Sequence, residues 1–148
     1  MRIEMRPVLM IFAPLLAIMA VSVARPSAAA TLRLGEEGAN VVFAFNVHTR
    51  PRAIVLRTKR VGVAGSRIVV TVDQVKKPVF SHIFSPGECK FGSSGSICEV
   101  VIPAKAAAYH AILTWFKRGR QARVTVLDAG VMKMDQTVSL RGFVNALH

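Results

Sequence analysis

From Val41 onward the chain is written in short β-branched and aromatic runs broken by turn residues, a rhythm that few folds accommodate. Residues 41–47 lie between Gly38 and Pro51, and Asn46 to Pro51 reads as the turn into a second run over residues 53–61. Gly62 to Ser66 makes the next break. Residues 67–73 then place Ile68, Val70 and Val72 on one face and Val69, Thr71 and Asp73 on the other, as the two-residue period of a strand requires. A run over residues 79–84 ends at Ser85-Pro86-Gly87, and one over 97–102 is stopped by Pro103. Residues 122–128 alternate again, turn around Gly130, and lead into a last run over 131–140. Runs of this length and spacing predict a mainly β domain, an antiparallel β-sandwich.

One stretch keeps a different period. Between Ala104 and Lys117, the residues Tyr109, Ile112, Leu113 and Phe116 recur at i, i+3, i+4 and i+7, the stripe of one short helix near the C-terminus. Gly119 closes it, and Lys117 and Arg118 sit favourably against its dipole. The stripe is expected to face the core, with the helix across a sandwich edge and Trp115 as a packing anchor.

The beginning of the chain follows other rules. Arg2 and Arg6 precede residues 7–24, which carry no charge, and Pro26 then introduces Ser27-Ala28-Ala29-Ala30. A basic start, an apolar stretch and small residues are the pattern of a cleaved secretory signal. Residues 1–30 are therefore expected to be a signal peptide and 31–148 a single domain, periplasmic or secreted. The rival reading is a membrane anchor, since residues 7–24 could just cross a bilayer at roughly 1.5 Å per residue. If the signal is removed, no transmembrane helix is expected in the mature chain.

Loss of residues 1–30 would take away Arg2, Arg6, Arg25 and Glu4, leaving 17 Lys+Arg against 7 Asp+Glu, a net charge of +10. Such a charge attracts anionic surfaces, whether lipid head groups, acidic polysaccharide or nucleic acid. It also serves simply to keep a domain in solution. In an oxidising compartment Cys89 and Cys98 read as a disulfide; a redox pair favours C-x-x-C, and a zinc site needs more ligands.

No residue constellation announces a reaction. The histidines are His48, His82, His110 and His148; neither His110, on the polar side of the helix, nor His148 is flanked by a glycine-framed serine, and Gly92-Ser93-Ser94-Gly95-Ser96 does not complete a G-x-S-x-G elbow. Paired carboxylates reduce to Glu36-Glu37, and phosphate-cradling glycine motifs are missing. No enzyme, metal site or cofactor is expected. What the sequence does offer is two basic clusters. Arg50, Arg52, Arg57, Lys59 and Arg60 form the first, and Lys117, Arg118, Arg120 and Arg123 the second. They are candidates for anion binding if the fold brings them to one face. Neither is interleaved with aromatic residues, which argues against nucleic acid.

The C-terminal third adds a resemblance. Cys98-Glu99-Val100-Val101-Ile102-Pro103, an alanine-rich helix, Ala122-Arg123-Val124-Thr125-Val126 and the closing Ser139-Leu140-Arg141-Gly142-Phe143-Val144-Asn145-Ala146-Leu147 are similar to the invasion-associated locus B family of exported bacterial proteins. The resemblance spans residues 98–147. It implies an immunoglobulin-like β-sandwich at the cell envelope, associated with host-cell entry and virulence, with no catalytic residues to carry over. The expected function is thus an exported envelope or host-interaction protein with an anionic envelope component, a host-cell surface or a protein as partner. A periplasmic accessory subunit and a hydrolase with an unsignalled site are the alternatives. Leu140, Phe143, Ala146 and Leu147 are expected to seat the chain end on the core.

Overall fold

The computed structural model describes residues 31–35, 40–93 and 95–148. The expected signal peptide and the Glu36-Glu37 pair lie outside the described residues. Residues Leu32–His148 belong to one compact unit.

Among the described residues nine strands, two helices and a 3₁₀ turn follow one another in this order: β1 (Thr31–Leu34), β2 (Val41–Asn46), β3 (Ala53–Lys59), β4 (Arg67–Val72), β5 (Phe80–Ile83), the 3₁₀ turn Pro86–Glu88, β6 (Cys89–Gly92), β7 (Gly95–Pro103), α1 (Ala107–Arg118), β8 (Gln121–Asp128), β9 (Val131–Ser139) and α2 (Phe143–Ala146). They build two sheets, one in the order β1-β2-β3-β7-β6 and the other β9-β8-β4-β5. All registered pairs are antiparallel. The mainly β, two-sheet expectation therefore holds.

Alternation explains the layering. Val41, Phe43 and Phe45 of β2, Ile54 and Leu56 of β3, Ile68, Val70 and Val72 of β4, and Ala122, Val124 and Val126 of β8 are buried. Their neighbours along each strand point outward. The inward sets join one apolar core, so a one-residue register slip would turn a strand's core face to water. The helical stripe enters the same core through Tyr109, Ile112 and Phe116, with Leu113 half-buried. Phe116 meets Phe43 edge-on at 5.3 Å between ring centres and lies 5.8 Å from Phe143. The helix packs against the edge strand β5 as well as β7 and α2.

Several expectations need correction. The helix starts at Ala107 rather than Ala104, because the Ala104 N–H donates to Arg52 O and the Ala106 N–H to Pro103 O, which holds this stretch as a turn. Gly119 does end the helix, but not by a left-handed cap: its φ is −84°. A Cβ there would collide with Val72 Cγ1 and lie 3.3 Å from Leu140 Cδ1, so glycine permits the close approach of helix end and β4. Trp115 is 37% exposed and is no core anchor. A second helix, α2, follows Gly142 at φ 80°, so the expectation of one helix falls short. It seats Phe143 and Leu147 on the core as expected, whereas Ala146 faces solvent. Strands β1 and β6 were also unanticipated.

The strands define two ends. At one, here the hairpin end, Lys59, Ile97 and Lys90 stand side by side across β3, β7 and β6, and Ile83, Arg67, Leu127 and Met132 do so across the other sheet. Gly62 ties these rows together, because its α-carbon faces Thr58 and Cys98 of the first sheet and Phe84 beyond β5 of the second. At the other, the helical end, Ala53 opposes Pro103 and Val72 opposes Ala122. Phe45 of the first sheet and Phe143 of α2, which follows β9 of the second, lie 5.0 Å apart there.

Candidate functional site: a cationic end

Cys89 and Cys98 are bonded, and they are directly opposed in the β6–β7 register. The pair pins the edge strand β6 to the body of its sheet, and no cysteine remains free.

The basic residues regroup in space. Arg57 and Lys59 share the outer face of the five-stranded sheet, but Arg57 is committed to Glu99: its Nε and Nη2 donate to Oε2 at 2.9 and 2.7 Å. Arg123 lies on the outer face of the other sheet, donating from Nε and Nη2 to the two oxygens of Asp135 at 2.7 and 2.6 Å. That fork holds the Asp135 carboxyl below its ordinary range and raises the guanidinium above its own. Outer faces of opposed sheets look in opposite directions, and both residues lie inside their strands rather than at a strand end, so Arg57 and Arg123 cannot serve one patch. Arg60 sits at the hairpin end, where its N–H donates to Ser96 O and its Nη2 to Asn40 Oδ1.

The other candidates do converge. Arg50 and Arg52 lie in the β2–β3 turn, Lys117 and Arg118 end α1, and Arg120 precedes β8, all at the helical end. The fold adds four that sequence reasoning missed: Lys76 and Lys77 in the β4–β5 connection, Lys105 before α1, and Arg141 after β9. All nine are exposed, and among the described residues none makes an ion pair. Asp73 is the one acidic side chain described at this end. Its Oδ1 already accepts from the backbone N–H groups of Arg120 and Gln121, at 2.9 and 3.1 Å.

Lys117, Arg120 and Arg141 surround an open hollow of 660 Å³ whose walls also include Gln121, Ser139, Gly142 and Asn145. Three cations with amide and hydroxyl donors around one concavity are the donor set from which phosphate, sulfate or carboxylate oxygens accept.

Among the described residues His82 is the histidine paired with a carboxylate. Its Nε2 lies 2.8 Å from Glu88 Oε1, and that oxygen also accepts the Ser85 N–H at 2.8 Å. Burial pushes the Glu88 carboxyl up, but the hydrogen bonds from Ser85 and His82 outweigh it and hold the group low. The ring is flanked by Phe80 and Phe84 at 6.0 and 5.8 Å. Through the shared Glu88 oxygen the pair ties β5 to the turn before β6. No three His, Cys, Asp or Glu side chains among the described residues gather as metal ligands. No helix among them is long and apolar enough to cross a membrane. Searches against protein-family models, curated proteins and solved structures give no match.

Proposed function

We propose that this chain is an exported, non-enzymatic envelope or host-interaction protein of the invasion-associated type, with an immunoglobulin-like β-sandwich, that binds an anionic partner through its helical end. The observation that carries the reading is the gathering of Arg50, Arg52, Lys76, Lys77, Lys105, Lys117, Arg118, Arg120 and Arg141 at one end, against a single described acidic side chain already occupied by backbone donors. Like charges held together raise the free energy of the folded state. A partner bearing closely spaced phosphate, sulfate or carboxylate groups relieves that repulsion, and the hollow beside Lys117, Arg120 and Arg141 gives one such group a seat. The Cys89–Cys98 bond supports a periplasmic or secreted location, since disulfides persist in oxidising compartments.

The test is calorimetric titration of the purified protein with heparin as a sulfated polysaccharide. The dissociation constant should weaken by at least about ten-fold between about 50 and about 300 mM sodium chloride, because the screening length falls severalfold over that range. Binding indifferent to salt, or no binding, overturns the reading.

A further inference from the structure

Val75, Trp115 and Val144 at the helical end are 37–41% exposed, but the most exposed apolar side chains among the described residues stand at the hairpin end. Five large apolar side chains stand exposed there. Phe91 is 78% exposed at the tip of the β6–β7 hairpin, and Val131 and Met132 are 57% and 50% exposed beside the β8–β9 turn. Ile97 lies between Lys59 and Lys90 in the outward row of one sheet, and Ile83 is aligned with Arg67 in that of the other. Lys59 and Lys90 have no ion-pair partner among the described residues, and Arg67 donates only to the Ser81 hydroxyl, at 3.0 Å. Lys133 is the extra residue of a bulge directly after Met132, which leaves it outside the strand register. The nearby described carboxylates are Asp128 at the end of β8, Glu88, which is already held by His82 and Ser85, and Glu99, which is paired with Arg57.

We infer that the hairpin end is a docking surface for an anionic phospholipid bilayer, with Phe91 and Met132 entering the interface and the flanking lysines and Arg67 meeting the head groups. Geometry favours a lipid over a protein. The apolar side chains project from two separate hairpins and from opposite outer faces instead of converging on a flat patch or groove. A fluid surface conforms to such a set, whereas a folded partner would need a matching cleft for each. Exposed aromatic and aliphatic side chains interspersed with cations are the composition that binds at the boundary of head groups and acyl chains. The site goes beyond the proposed function, because it adds an apolar component and lies at the opposite end of the strands. A protein docked this way holds the cationic hollow away from the bilayer, free for a second partner.

The experiment is co-sedimentation of the purified protein with vesicles of phosphatidylcholine and phosphatidylglycerol in a 7:3 ratio, against vesicles of phosphatidylcholine alone. The protein should partition to the anionic vesicles, and Phe91→Ser combined with Met132→Ser should weaken this by at least about ten-fold. Both side chains are largely exposed, so the melting temperature of the variant should match the parent. In a Trp115→Phe background, Phe91→Trp should shift its fluorescence to the blue on anionic vesicles. Absent partitioning, or partitioning that survives Phe91→Ser with Met132→Ser, overturns the inference. So does partitioning abolished by Lys117→Gln, Arg120→Gln and Arg141→Gln, which would assign the head groups to the helical end. Heparin titration of the same proteins reports on the other end separately, so failure of one site is distinguishable from failure of the other.

Discussion

Ala129 and Gly130 join β8 to β9 with φ values of 51° and 80°. A two-residue connection with both residues left-handed is the turn that matches strand twist, and it favours Asn-Gly. An alanine Cβ is strained in that conformation, so Ala129→Asn should stabilise the fold by about 1 kcal/mol, read from urea midpoints. Gly119 predicts the opposite sign. Because an added Cβ would strike Val72, Gly119→Ala should cost about 1–3 kcal/mol and lower the melting temperature by several degrees. Glu88 supplies a pH dependence. Its carboxyl is held below its ordinary value of 4.5, so its contribution is fully present above that pH and lost as pH falls through the folded value. The stability gap between the parent and Glu88→Gln, measured in urea, should therefore narrow steadily below pH 4.5.

Among the elements, the Cys89–Cys98 bond closes a short loop at a sheet edge. Chain entropy for such a loop amounts to about 2.7 kcal/mol, the destabilisation expected when both cysteines become serine. Thermal unfolding in the presence and absence of reductant checks it. Elements that bury one face with a regular period were legible from residues alone, as in Ile68, Val70 and Val72 of β4 or the Tyr109–Ile112–Phe116 stripe. Strand β6 was not, because Lys90, Phe91 and Gly92 are all exposed and its pairing comes from the disulfide and register rather than from burial. Helix α2 has only four residues, too short for any period to show. Trp115 was misread because hydrophobicity alone does not say which side of a helix stripe a neighbouring residue occupies.

At the scale of the whole molecule, charge is organised by topology rather than by sequence proximity. In antiparallel sheets successive connections alternate between ends, so Arg50, Lys76, Lys117 and Arg141 meet although tens of residues separate them. Arg57 and Arg123, one from each of the two sequence clusters, are instead neutralised by Glu99 and Asp135 across neighbouring strands. Those pairings depend on register, and a single sequence does not display register. The result is a domain with two unlike ends, one cationic around a hollow and one mixing cations with exposed apolar tips. The most direct measurement is the heparin affinity of Lys117→Gln, Arg120→Gln and Arg141→Gln combined, beside Arg57→Gln and Arg123→Gln combined. Loss of at least about ten-fold in the first and little change in the second is the result predicted; equal losses in both would contradict a site at the helical end.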